Sequence, residues 1–166
     1  MIRTPHLLEA SNNPRRMKEN LVGLLDVEAI NVIEAAICLN SAQLYKLGLL
    51  HHQFAKRQRP KDWRQFFSRS YYGGYNCARA VKLVHDGHYA QHSGDHQRIN
   101  NLPSDFPDPM RHGNFLKTLR EDRNICDYDH TAKLTDLVLS IAEVQAAMAS
   151  FFEDTKIYLA ARGVAL

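Results

Sequence analysis

The strongest constraint on the fold is a stripe of apolar and small residues that keeps a helical period for about six turns. Asp62 precedes this stripe at the position of an N-terminal cap, and Gly87 follows it as a helix-ending residue. The stripe predicts one long helix that buries a single face. Its members are Trp63, Phe66, Phe67, Ser70, Gly74, Cys77, Ala78, Val81 and Val84.

Three further segments have a helical period, and no segment alternates between apolar and polar residues as a half-buried strand does. Their predicted bounds are Asp26 (the cap) to Leu50, Phe115 to Tyr128 with Asn114 as the cap, and Thr131 to Leu159. The apolar stripe of the last segment consists of Leu134, Leu137, Val138, Ile141, Met148, Phe151, Phe152 and Leu159. The chain is therefore predicted to be all-α, an up-and-down bundle of four main helices plus short extra helices.

The length of 166 residues suits one domain with a real core. We predict that residues 1–25 are an N-terminal extension, with a short amphipathic element around Met17 to Leu25, and that residues 26–166 form the bundle. The region from Gly87 to Pro109 contains several prolines, which predicts a long loop with a short helical piece near Asp95 to Asn101.

Composition favours a soluble cytoplasmic protein. No stretch approaches the roughly 20 apolar residues of a membrane span, and the first residues lack the apolar run of a signal peptide. Cys38, Cys77 and Cys126 form no CxxC pair, which predicts unpaired thiols in a reducing compartment. The net charge of +3 permits contact with an acidic partner but is small for a duplex-DNA binder.

A polar stripe continues the inward face of the third long segment. On a helix, Arg123, Asp127 and His130 follow the same face as Leu116 and Leu119. An arginine binds phosphate oxygens and a histidine transfers protons near neutral pH. Two simpler interpretations stay open: an i,i+4 salt bridge between the arginine and the aspartate, and a histidine that favours the helix C-terminus.

The second helical segment carries two adjacent glycines among three tyrosines. Gly73 and Gly74 each destabilise a helix by about 1 kcal/mol relative to alanine, so we predict that they lie at a tight helix crossing. Tyr71, Tyr72 and Tyr75 lie off the main stripe. They either form a second packing face or stack on bases.

Two polar clusters have both a structural and a functional interpretation. Four histidines recur at steps of three and four, but Gly87 interrupts a helix there and no carboxylate or cysteine completes a ligand set. We therefore predict a surface loop, with no metal and no cofactor. The histidines are His85, His88, His92 and His96.

The basic run 56–61 is predicted to be a solvated loop, with nucleic-acid binding as the alternative.

Two of these segments resemble motifs of HEPN-domain proteins. Residues 70–80, SYYGGYNCARA, are similar to the "RAYYAAFHAARA" helix of that family, with Gly73 and Gly74 in place of alanines and Asn76 in place of a frequent histidine. Residues 119–129, LREDRNICDYD, are similar to its "L-x-x-x-R-x-x-A-D-Y-D" helix. The resemblance covers about residues 26–162.

This resemblance implies a four- or five-helix bundle that forms homodimers and binds RNA or a nucleotide. Many HEPN proteins are metal-independent endoribonucleases, or toxins encoded beside a nucleotidyltransferase antitoxin. The family's motif of an arginine, a polar residue and a later histidine corresponds to Arg123, Asn124 and His130 as catalytic residues. Asp127, Tyr128 and Tyr72 are the expected substrate-binding residues.

The expected chemistry is cleavage that leaves a 2′,3′-cyclic phosphate and a 5′-hydroxyl. His130 would act as acid or base, Arg123 would stabilise charge on the phosphate, and Asn124 would orient either group. A continuous helix separates the arginine and the histidine by about 10 Å, so we expect a composite site in which two chains of a homodimer meet. The alternatives are a non-catalytic module that binds a nucleotide or a nucleotidyltransferase, and a plain dimerisation scaffold.

Overall fold

The computed structural model describes residues 13–88 and 99–166, and within these ranges the chain is all-α, as predicted. An isolated bridge between Val22 and Leu25 is the only β-type pairing in the described ranges. None of the described helices is long and apolar enough to cross a bilayer. The helices are α1 (Pro14–Asn20), α2 (Val27–Lys56), α3 (Trp63–Asp86), α4 (Pro109–Tyr128) and α5 (Ile141–Ala160), with short 3-10 turns at Pro60–Asp62 and Leu134–Asp136.

Helix α3 is the centre of the bundle, because it packs against α2, α4 and α5. Gly74 of α3 lies against Leu116 of α4 and Met148 of α5. The main core contains Phe67, Tyr71, Leu119 and Phe151, each at most 1% exposed. The predicted up-and-down bundle of four main helices is therefore present, with α1 as a short extra helix packed on α2.

Glycines allow α2 and α3 to approach closely, which confirms the predicted tight crossing. A Cβ atom on Gly48 would lie 2.8 Å from the Sγ of Cys77 and 2.9 Å from the carbonyl oxygen of Gly73. A Cβ atom on Gly73 would lie 3.2 Å from the carbonyl oxygen of Gly48. Both neighbours of Gly48 are buried, so neither moves without separating the helices.

The predicted starts of α2 and α3 and the predicted end of α3 agree with the structure, whereas α2 is longer than predicted. Asp26 caps α2 by accepting the N–H of Ala29 at 2.7 Å, although the helix continues past Leu50 to Lys56. Asp62 occupies the cap position of α3 but makes no capping hydrogen bond. Gly87 ends α3 in the left-handed conformation, at φ 73°.

Two predicted helix starts are wrong. Helix α4 begins at Pro109, and Asn114 lies inside it. Proline fits the first turn of a helix, where its missing N–H has no partner to lose. Helix α5 begins at Ile141 and not at Thr131, because Ser140 at the N-cap and Glu143 in the first turn form a capping box there. Three residues of the predicted stripe therefore precede α5: Leu134, Leu137 and Val138.

Other boundary predictions have mixed outcomes. Helix α1 ends at Asn20, before the end of the amphipathic element predicted around Met17 to Leu25. The helical piece predicted near Asp95 to Asn101 lies mostly outside the described residues, and its residues 99 and 100 form a turn. All three cysteines are free thiols, as predicted.

We expect Gly48→Ala to lower the free energy of unfolding by about 1–2 kcal/mol, because the overpacking penalty outweighs the better helix propensity of alanine. Urea unfolding followed by circular dichroism measures this. Gly73→Ala, whose Cβ has looser contacts, is the graded control and should be milder. A Gly48→Ala protein as stable as the wild type would contradict a backbone-limited crossing.

Candidate functional site

The candidate site is built around Arg123 near the C-terminal end of α4. Leu116 and Leu119 on the preceding turns are fully buried, and the Arg123 side chain on the same face is 14% exposed. The guanidinium therefore lies at the edge of the core, where a charge needs partners.

Four side chains supply those partners. The Nη2 atom of Arg123 donates to the hydroxyl of Tyr72 at 2.7 Å. Its Nη1 atom donates to Oδ1 of Asn124 at 3.1 Å and to the hydroxyl of Tyr128 at 3.4 Å. Its Nε atom lies 2.7 Å from Oδ2 of Asp127, but the N–H is not aligned with that oxygen, so the contact is an ion pair without a hydrogen bond.

Aromatic rings surround the same guanidinium. Its central carbon lies 5.4 Å from the ring centre of Tyr71 and 5.3 Å from those of Tyr72 and Tyr128, within the range of cation–π attraction. We call these residues with Arg123, Asn124 and Asp127 the Arg123 cluster. The tyrosines thus pack against a cation within the chain, which resolves the predicted alternatives for Tyr71 in favour of packing, since it is 1% exposed.

Two members of the cluster, Arg123 and Tyr71, have pKa values raised by their surroundings. Burial lowers the pKa of Arg123, but the hydrogen bond with Tyr128 and the carboxylate of Asp127 outweigh burial, and the pKa ends above its usual value. Burial raises the pKa of the Tyr71 hydroxyl, against the opposing charge of Arg123. The tyrosine hydroxyl is therefore neutral, and the positive charge belongs to the arginine.

His130 lies outside this cluster. Helix α4 ends at Tyr128, so the predicted helical stripe does not reach His130, which is exposed in the following turn. Asp129 shapes that turn by accepting the N–H of Thr131 at 2.9 Å and its hydroxyl at 2.7 Å. Within the described chain, no hydrogen bond, ion pair or ring contact joins His130 to Arg123.

Arg64 of α3 holds the turn that contains His130. Its Nη1 atom donates to the carbonyl oxygens of Cys126 and Asp129, each at 2.7 Å, and its Nη2 atom donates to that of Ala132 at 2.8 Å. These carbonyls lie at or just after the C-terminus of α4, where the helix leaves acceptors unsatisfied and favours positive charge. The turn is therefore fixed to α3 and not only to α4.

Asp122 fixes the next part of the same connection. Its fully buried carboxylate accepts the backbone N–H of Val138 and of Leu139, each at 2.9 Å. No local pattern in the sequence indicates this role, because the partners lie on a segment that the apolar spacing predicted to be helical. The role of Arg64 was not predicted either, because its acceptors are backbone carbonyls, which every residue carries.

The predicted site residues thus separate into two groups. Arg123, Asn124, Asp127, Tyr128 and Tyr72 lie together, and His130 lies apart from them. The salt bridge that the spacing of positions 123 and 127 predicted is present.

His85, one of the four clustered histidines, contacts side chains of the bundle. The Nδ1 atom of His85 lies 2.9 Å from the hydroxyl of Tyr158, which donates to Asp105 at 2.9 Å. His92 and His96 lie outside the described residues. Among the residues that the structure describes, no group of three or more histidines, cysteines or carboxylates is placed to hold a metal ion.

No protein-family model, curated protein or solved structure matches the chain.

We expect Arg64→Ala to lower the free energy of unfolding by about 2 kcal/mol, because three carbonyls lose a charged donor. Arg64→Lys should recover only part of this, since an ammonium lacks the planar fork. Urea unfolding, followed by the fluorescence of the single tryptophan, Trp63, measures both.

Arg59→Ala is the matched control, because Arg59 makes an exposed ion pair with Asp62 that should contribute less than about 1 kcal/mol. If Arg64→Ala and Arg59→Ala were equally mild, the three carbonyl contacts would not stabilise the turn.

Proposed function

We propose that this chain is a HEPN-like protein that binds RNA and cleaves it without a metal ion, through a site centred on Arg123. One observation carries the proposal. The two segments that resemble HEPN motifs meet in space, since the hydroxyl of Tyr72 from the first accepts a hydrogen bond from Arg123 of the second. A contact between two motif residues far apart in sequence supports a shared site.

The state of Arg123 suits phosphate recognition. Hydrogen bonds within the protein use three of its five N–H groups and hold its plane in one orientation. A guanidinium fixed in this way loses little entropy on binding a phosphate oxygen. Tyr128, which is 74% exposed, lies beside it as a surface on which a base would stack.

His130 fits the proposal through a second copy of the chain. It is exposed and lies outside its own Arg123 cluster, as a composite site requires. In the proposed homodimer, Arg123 of one subunit would bind the scissile phosphate, and His130 of the partner subunit would transfer the proton. The products would be a 2′,3′-cyclic phosphate and a 5′-hydroxyl.

The solvent face of α2 supports dimerisation. Five apolar side chains on it are 40–63% exposed, at spacings of three, four, seven and eight residues, which is the pattern of a helix that packs on another helix. The row ends at Phe54, whose ring is 5.3 Å from the guanidinium of Arg69 on α3. The C-terminal end of this face therefore lies beside α3, which carries Tyr72 of the Arg123 cluster, and a two-fold axis near that end would bring the two sites toward each other. The five are Val32, Leu39, Leu47, Leu50 and Phe54.

We expect the double variant Leu47→Glu/Leu50→Glu to be monomeric, because burying two carboxylates in the α2 interface is unfavourable. Light scattering coupled to size exclusion measures the mass. Met110→Glu, at an apolar position of α4 that is 77% exposed, is the matched control and should keep the dimer. A wild type that is itself monomeric, or a double variant that remains dimeric, would contradict an α2 interface.

One observation favours a second candidate, a non-catalytic HEPN module that binds a nucleotide or a nucleotidyltransferase partner. The carboxylate of Asp127 lies 2.7 Å from Nε of Arg123, so the charge of the arginine is already compensated within the chain. An arginine already paired in this way also serves as a structural anchor, without turnover. Toxin or defence activity would follow from the nuclease function and not from this alternative.

The nuclease function predicts cleavage of RNA in EDTA by the wild type, with 2′,3′-cyclic phosphate ends. His130→Ala should lose about 10²–10⁴-fold in rate and Arg123→Lys about 10²–10³-fold, because one removes proton transfer and the other removes the planar fork. Gel assays with end-group analysis measure the rates and products. Equal rates in wild type and His130→Ala would refute the nuclease, and tight nucleotide binding without turnover would favour the module.

A further inference from the structure

A second histidine reaches the Arg123 cluster from a different helix. The ring of His51 on α2 lies 5.8 Å from that of Tyr72 on α3, tilted by 34°. The hydroxyl of the same tyrosine accepts the hydrogen bond from Arg123 on α4. Three helices therefore bring a histidine, a tyrosine and an arginine to one place, with Tyr72 between the other two.

The neutral form of His51, from which a general base starts, is favoured at this position. Burial and the neighbouring charge of Arg69 lower the pKa of His51, so its ring is neutral and one nitrogen is an acceptor. Its side chain is half-buried and not enclosed. The adjacent His52 differs, because it stacks on Phe152 at 4.9 Å and its Nδ1 is buried without a partner.

The proposed reaction needs two proton-transfer groups. The 2′-oxygen forms a bond to phosphorus while the bond from phosphorus to the 5′-oxygen breaks. One proton leaves the 2′-hydroxyl, and another must reach the 5′-oxygen on the opposite side of the phosphorus. One histidine does not reach both oxygens at once, so the site with His130 as its only titrating side chain is incomplete.

We infer that His51 contacts the bound phosphodiester and takes the proton of the 2′-hydroxyl, while Arg123 holds a phosphate oxygen and His130 of the partner subunit supplies the proton to the 5′-oxygen. The site is then centred on the outer face of α3 at Tyr72 and not on α4 alone. This inference rests on the proposed function, because it names a further catalytic residue for the same reaction.

His51→Gln tests the inference, since glutamine keeps polarity and approximate size but does not take up a proton. Its single-turnover cleavage rate should fall by about 10²-fold or more. Its Kd for a 2′-O-methylated RNA, which lacks the nucleophile and is not cleaved, should change little. His52→Gln is the matched control from the next position of α2 and should cleave as the wild type does.

A second measurement does not depend on turnover. In the wild type, the ring resonance of His51 should shift in NMR spectra when the 2′-O-methylated RNA is added, and that of His52 should not. A His51 resonance that stays fixed at saturation, or a His51→Gln protein that cleaves at the wild-type rate, overturns the inference. In either case cleavage by the wild type leaves the proposed function standing.

Failure of the proposed nuclease function can also be told apart from failure of the His51 inference. A wild type that binds the modified RNA and shifts the His51 resonance, but does not cleave unmodified RNA, refutes the nuclease and supports the contact of His51 with the ligand. A wild type that neither binds nor cleaves overturns both.

Discussion

The close approach of α2 and α3 at Gly48 and Gly73 determines much of the remaining structure. With no side chains between them, the helix backbones lie near enough that a single Cβ atom on Gly48 would meet Cys77 and the Gly73 carbonyl. This distance brings the last turns of α2 against the Tyr72 turn of α3. It also leaves α3 at the centre, free to pack on α4 and α5 through its other faces.

The Arg123 cluster is a local solution to a charge at the edge of a core. Taking a guanidinium out of water is unfavourable unless hydrogen bonds and an opposite charge replace the lost hydration. Tyr72, Asn124 and Tyr128 supply the hydrogen bonds and Asp127 supplies the charge. Such a cluster adds little net stability. Its main physical effect is to hold the guanidinium in one orientation.

The sequence predicted what depends on local pattern. Helices α2 and α3, the Asp26 cap, the Gly87 terminus and the glycine crossing all follow from periodicity or from residue chemistry, and the structure confirms them. The spacing of Arg123 and Asp127 predicted their ion pair. The pairing of Tyr72 with Arg123 was not accessible from spacing, because it joins two helices whose relative register depends on the whole bundle. The ring contact of His51 with Tyr72 was not predictable for the same reason.

The connection between α4 and α5 is not helical, although the spacing of its apolar residues predicted a helix. Hydrogen bonds to side chains distant in sequence determine its conformation. Its apolar residues have helical spacing, yet Asp122 binds two of its backbone N–H groups and Arg64 binds two of its carbonyls. Backbone groups bonded to distant side chains in this way are not available for a helix. The position of His130 is consequently set by α3 as much as by α4. The same helix thus contacts Arg123 through Tyr72 and holds the turn of His130 through Arg64, so both groups of one chain are positioned by α3.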